Sequence, residues 1–242
     1  MRRLLVALFL LASTTYAHDA WFEPVVTNGV AELRLQLGER LVPEETLPFE
    51  SARIAQIWIA TGNGVRDLRD DRMAMVGLVK ATGMIAVERI PFDVSLDPER
   101  FNSYLEDEGH FEAVQNRMRD GEYAKPVRER VTRHLKTFIG ALDDSFLHGF
   151  GTRLEIVPLA SPKVGEPLSV RVIFDGRPFA NARVAVFEKT WQRMIRTDRN
   201  GEARVLLSTP GFVLVRTTHI ERCSGCSVDY QSDWAALTFD VQ

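Results

Sequence analysis

From residue 151 onward the chain is a series of short alternating runs broken at regular intervals by turn residues, and that rhythm limits what it can fold into. Leu168, Val170, Val172 and Phe174 alternate with Ser169, Arg171 and Ile173. Successive side chains of a strand point to opposite faces, so a period of two marks a strand with one buried face. Similar runs cover 154–157, 184–187, 203–207, 212–217 and 235–241. Asp175-Gly176-Arg177-Pro178 is a turn signal, and Asp198-Arg199-Asn200-Gly201 reads as a hairpin turn because Asn-Gly accepts positive φ angles. About seven short strands with regular turns predict a β-sandwich.

The preceding stretch mixes two periods. Leu33, Leu35 and Leu37 face one way, with Glu32, Arg34 and Gln36 on the other side. Residues 54–60 and 84–90 read as further strands, the first followed by the turn Thr61-Gly62-Asn63-Gly64. Asp97-Pro98-Glu99 then signals a helix start, with Asp97 as cap and Pro98 in the first turn. Phe101, Tyr104, Leu105 and Glu108 follow at helical spacing. Lys125-Pro126 reads as a second helix start. Val127, Val131, Leu135, Phe138 and Ile139 form its apolar stripe, with Arg128, Glu129, Arg133 and Lys136 outside. The expected fold is mainly β: a β-rich half over 18–149 with an inserted or appended helical segment, and an immunoglobulin- or transthyretin-like sandwich over 150–242.

Residues 1–17 have the form of a secretory leader. Arg2 and Arg3 precede an apolar run over 4–12 that is too short to span a bilayer. Thr15 and Ala17 occupy the −3 and −1 positions where signal peptidase requires small residues, so cleavage is expected between Ala17 and His18. No second long apolar run follows, which predicts a periplasmic protein with no stable membrane insertion after cleavage. The formal net charge is −3 with no basic block, which argues against nucleic acid as a partner. The two cysteines, Cys223 and Cys226, are expected to pair as a disulfide in an oxidising compartment. A thioredoxin-type motif would open a helix, whereas these lie between two strand-like runs.

Three places carry a family likeness. One is the mature start His18-Asp19-Ala20-Trp21-Phe22-Glu23-Pro24. The second is the run from Gly151-Thr152-Arg153 to Pro158-Leu159. The third joins Gly165-Glu166-Pro167-Leu168, Asp175-Gly176-Arg177-Pro178, Asn181-Ala182-Arg183-Val184, Thr197-Asp198, Asn200-Gly201 and Thr209-Pro210-Gly211. The last set resembles transthyretin-type or carboxypeptidase-regulatory sandwiches. Together they resemble an exported bacterial family, a domain of unknown function, labelled as periplasmic components of cobalt or nickel uptake. The resemblance implies a transition-metal ligand and a membrane transporter component as partner. It brings no established ligand set.

His18 is the sharpest chemical clue. A mature N-terminal histidine offers its freed α-amine, with a reference pKa near ~8, and its imidazole Nδ1 to one ion in a closed ring. One further imidazole completes a three-nitrogen site suited to copper(II) or nickel(II). His219, at the end of a strand, is the preferred second ligand, and Asp19 could orient an imidazole from behind. His148, in the Gly-rich link between the halves, could reach a site between them. His110 follows the acidic run Glu106-Asp107-Glu108, and His134 reads as a helix-surface histidine. Trp21 and Trp234 are candidates for a site wall, Trp58 and Trp191 for the core. No Gly-x-Ser-x-Gly, Walker loop or dinucleotide turn occurs.

The expected function is therefore a non-enzymatic periplasmic binding protein for nickel, cobalt or copper, acting in uptake or delivery, with metal ligands His18, His219, Asp19 and His148. The alternatives are a non-metal envelope interaction module and a copper redox enzyme using the same histidine chelate.

Overall fold

The computed structural model describes residues 19–242; the leader expected over 1–17 and the expected ligand His18 lie outside them. Along the first half run β1 (Asp19–Thr27), β2 (Val30–Glu39), β3 (Val42–Leu47), β4 (Ile54–Thr61), β5 (Gly64–Asp67), β6 (Leu78–Val79), β7 (Gly83–Arg89) and β8 (Phe92–Leu96). Helices α1 (Pro98–Asp107) and α2 (Phe111–Arg119) follow, then the long strand β9 (Val127–Ile139). The second half contains β10 (Leu154–Pro158), β11 (Pro167–Phe174), β12 (Arg177–Pro178), β13 (Arg183–Phe187), β14 (Gln192–Arg196), β15 (Glu202–Leu206), β16 (Gly211–Arg222) and β17 (Tyr230–Val241).

The described strands form three sheets. A nine-stranded sheet runs β14-β13-β16-β17-β9-β7-β4-β5, with β8 also on β9. One of its faces packs on the sheet of β10, β11, β12 and β15 through Leu154, Val170, Val172, Val213, Val215, Leu237 and Phe239. The other packs on the sheet of β1, β2, β3 and β6 through Trp21, Phe22, Leu35, Val87, Leu135 and Leu214. This is a mainly β fold of sandwich type. The helices cover the remaining end of the large sheet, where Phe101, Tyr104 and Leu105 meet Val131, Tyr230 and Trp234.

Local chemistry explains the turns. Asn28-Gly29 joins β1 to β2 with both residues at positive φ (51° and 75°), the geometry of a two-residue hairpin turn. Asp175-Gly176 (49° and 72°) does the same between β11 and β12. Asp97 caps α1 by accepting from the Arg100 N–H at 2.9 Å, with Pro98 in the first turn, as its sequence predicts.

Several sequence expectations are corrected. Residues 127–139 are a strand, not a helix. Val127, Val131, Leu135 and Ile139 fall at intervals of four, a spacing that strand alternation satisfies as well as a helical stripe does. Glu129, Arg133 and Lys136, expected outside, are buried. The second helix is instead α2, nearer to α1. The turn at 198–201 forms, with Gly201 N–H donating to Asp198 O at 3.1 Å, but it does not close a hairpin. It carries the chain from β14, paired with β13, across to β15, paired with β11 in another sheet.

The two halves divided at 149/150 share one sheet. β17 lies parallel to β9, with Tyr230 opposite Glu129 and Thr238 opposite Thr137. Lys136 also joins them. Its Nζ, 4% exposed, donates to Glu155 Oε1 at 2.9 Å and to the carbonyls of His148 and Ile156 at 3.0 Å each.

Candidate functional site

The charged groups nearest the expected mature terminus meet where β1 enters the fold. Asp19 pairs with Gly38 in the β1–β2 ladder and is buried. Its neighbours Trp21 and Phe22 are each 1% exposed, so β1 is held in the core immediately behind it. Asp19 Oδ1 lies 2.6 Å from Nε of Arg216, a central residue of β16. Arg216 also pairs through Nη1 with Glu108 Oε2. Gly109, at φ +76°, ends α1 and turns the chain so that Glu108 and His110 flank it above β16. The Thr218 hydroxyl lies 2.9 Å from His110 Nε2 and donates to Glu108 Oε2 at 3.4 Å. Tyr104 stacks on Trp234 at 5.4 Å and contacts the His110 ring edge-on.

Four of these side chains, Asp19, Tyr104, Glu108 and Arg216, line a cavity of about 400 Å³. Burial moves the titrations of the groups here. It raises the Asp19 carboxyl to about 6, outweighing the nearby Arg216 guanidinium. It lowers the His110 imidazole to about 4, so that His110 is neutral at pH 7. It raises Glu129, beneath Tyr104, to about 7. Arg216 is the opposite case: burial disfavours its charge, but Asp19 and Glu108 overcome that and hold it protonated.

The expected ligands are not all brought together. Strand alternation places Arg216 and Thr218 on the face toward β1 and the helices. His219 is on the other face, its ring 4.0 Å from Phe174 and 5.1 Å from Phe179. There its Nε2 is 3.7 Å from Glu221 Oε2. Arg153 bridges Glu221 and the buried Asp233, each at 2.7 Å, and Asp233 Oδ1 lies 2.9 Å from His134 Nε2. Asp19 and His219 thus face away from each other across the large sheet. His148 leans on Phe150, and its carbonyl serves Lys136. Cys223 and Cys226 are disulfide-bonded, so no thiolate is available beside His219. Among the described residues, no three His, Cys, Asp or Glu side chains are grouped to hold a metal ion.

Other expectations change as well. His134 is buried between Asp233 and Glu88, on a strand rather than a helix surface. Trp21 and Trp234 are buried in packed clusters, while Trp58 and Trp191 are the partly exposed pair. Sequence reasoning missed Arg216. Its signal was a charged residue inside a strand whose neighbours Leu214, Val215 and Thr217 are all buried.

The fold and this corner define a sandwich protein with a charged cavity at the entry of its first strand. The chain matches the model of the family described as Domain of unknown function (DUF4198) over residues 15–221, and it belongs to that family. No curated protein and no solved structure matches it. Among the described residues no helix is long and apolar enough to cross a membrane.

Proposed function

We propose that this is an exported periplasmic binding protein for a divalent transition metal, nickel, cobalt or copper, acting in uptake or delivery with a membrane transporter component as partner. Cleavage after Ala17 frees the amine of His18, and amine and imidazole chelate the ion in one ring. The observation that carries the reading is the fixation of Asp19, one peptide bond after His18. It is 6% exposed, backed by the buried Trp21, and paired with Arg216. A terminus anchored at its second residue loses little further entropy when it binds, whereas an ordinary chain end frays.

His110 takes the place of His219 as the third nitrogen donor in this reading. It is tied through Thr218 and Glu108 to the Arg216 that holds Asp19, on the same face of the large sheet. Its imidazole is neutral at pH 7, the form that binds metal, and its bond to Thr218 through Nε2 leaves Nδ1 for the ion. Glu108 supplies negative charge beside it.

The test is calorimetric titration of Ni²⁺, Co²⁺ and Cu²⁺ into processed protein beginning at His18 and into a form with one extra residue before it. The extension displaces the amine from the chelate and should weaken binding at least about 100-fold; His110→Ala should weaken it about 10–100-fold. Equal affinity with and without the extension overturns the reading.

A further inference from the structure

A second cavity, of about 380 Å³, lies in the seam between β3 and the large sheet. Three arginines reach it: Arg53 at the start of β4, Arg89 at the end of β7 and Arg133 in β9. The β7–β9 register sets Glu88 opposite His134, and continuing it by one residue sets Arg89 opposite Arg133. Like charges directly opposite on adjacent strands repel. Arg89 is the telling member. It is 7% exposed, yet among the described residues its guanidinium has no hydrogen bond and no carboxylate within ion-pair distance. A buried guanidinium carries five donors and a fixed charge that are costly to leave unmatched.

The cavity wall also carries three acids, Glu45, Glu50 and Asp93, which are engaged elsewhere or face solvent. Glu50 pairs with Arg53, Asp93 pairs with Arg130 at 2.7 Å, and Glu45 is exposed. Burial and the neighbouring Arg53 lower the Arg89 pKa against the pull of Glu50, and burial with Arg89 lowers that of Arg133 to about 10 against the pull of Asp19 and Glu129. Both shifts arise first from burial, to which the neighbouring arginine adds. The rest of the wall is apolar, with Leu37, Leu47, Pro48 and Phe92.

We propose that this cavity binds a small organic anion, its oxyanion received by Arg89 and Arg133 with Arg53 at the mouth, its carbon skeleton against Leu47, Pro48 and Phe92. A guanidinium pairs with carboxylate and phosphate alike in bidentate geometry, so the shared chemistry is an oxyanion on an apolar body. The proposal does not need the metal centre above, although Arg133 also lines a small cavity with Asp19 and Arg216.

Calorimetry on the purified protein at 150 mM salt tests this with benzoate, phenyl phosphate, inorganic phosphate and benzylamine. Saturable binding of benzoate or phenyl phosphate is expected, at least tenfold tighter than inorganic phosphate and with no binding of benzylamine. The tighter of the two organic probes tells carboxylate from phosphate. Arg89→Met should weaken the preferred probe at least tenfold, and the remote Arg199→Ala should leave it unchanged. If Arg89→Met does not fold, Arg53→Ala at the exposed mouth supplies the readout, with a three- to tenfold loss expected. Absence of saturable binding by both organic probes, or wild-type affinity in a folded Arg89 variant or in Arg53→Ala, overturns the proposal.

Discussion

Asp19 Oδ1 lies 2.6 Å from Arg216 Nε on one face of the large sheet, while His219, three residues further along the same strand, meets Phe174 on the opposite face. The pairing ties the first described residue of the chain to a strand almost two hundred positions later. It also places the corner of Asp19, Glu108 and His110 at the head of β1.

Arg216 holds two carboxylates whose side chains are only 7% and 11% exposed. Removing it leaves both facing each other with little solvent. Arg216→Met should cost about 3–5 kcal/mol of stability by urea denaturation, and Arg216→Lys should recover only part of this, because an ammonium cannot fork to both acids. A loss below about 1 kcal/mol in Arg216→Met would show that the pairing is not structural.

Two buried groups push stability in opposite directions with pH. Glu129 has its folded pKa raised by burial to about 7, so its stabilising effect is present at low pH and is lost as pH rises from about 4.5 to 7. His110 has its folded pKa depressed by burial to about 4, so its contribution is present above about 6.5 and is lost as pH falls toward 4. Relative to wild type, Glu129→Gln should therefore gain up to about 3 kcal/mol at pH 8, and His110→Gln should gain on the acid side. Urea midpoints from pH 4 to 8, measured with chelator present, check both slopes; parallel curves for all three proteins contradict the assignment.

Lys136 and Glu155 are 4% and 2% exposed and 2.9 Å apart. Breaking a buried pair from one side leaves the other charge uncompensated. Lys136→Met should cost about 3–5 kcal/mol, and the double variant Lys136→Met with Glu155→Leu should be more stable than the single one. A double-mutant cycle measured by denaturation decides it.

Gly38 stands opposite Asp19, and a Cβ there would lie 2.0 Å from the Val42 carbonyl oxygen. The backbone of β3 cannot yield that much locally. Gly38→Ala should destabilise the protein by about 2 kcal/mol or more and disturb the head of β1, read by thermal denaturation and by amide exchange at residues 19–22.

Much of the architecture was legible because alternation is a direct print of a half-buried strand. Leu33, Leu35 and Leu37 are buried as expected, and most of the second-half strands appear where their apolar periodicity lies. The failures have one cause. The large sheet is covered on both faces, so inward positions exist on either side of a strand, and some hold charges. Glu129, Arg133 and Lys136 look like an exposed helical face in sequence, but each is buried against a layer that the local chain does not contain. The same holds for the site. Asp19 was readable as a residue beside a terminus, but its link to Arg216 and Glu108, like the meeting of Arg89 with Arg133, comes from strand pairing across distant segments. His219 was read at the end of a strand, but β16 runs on to Arg222, and the face His219 takes depends on parity within that longer strand.

The parallel union of β9 with β17 has a consequence for the order of assembly. β17 fills the space between β9 and β16 in the middle of the large sheet. Until β17 pairs with it, β9 has one open edge from Glu129 to Thr137, with β7 and β8 along the other. The large sheet cannot close before β17 is in place, and pairing at such sequence separation is intrinsically slow. Until then the unpaired N–H and C=O groups along β9 are a template that another chain can join, so the unfinished sheet is exposed to aggregation.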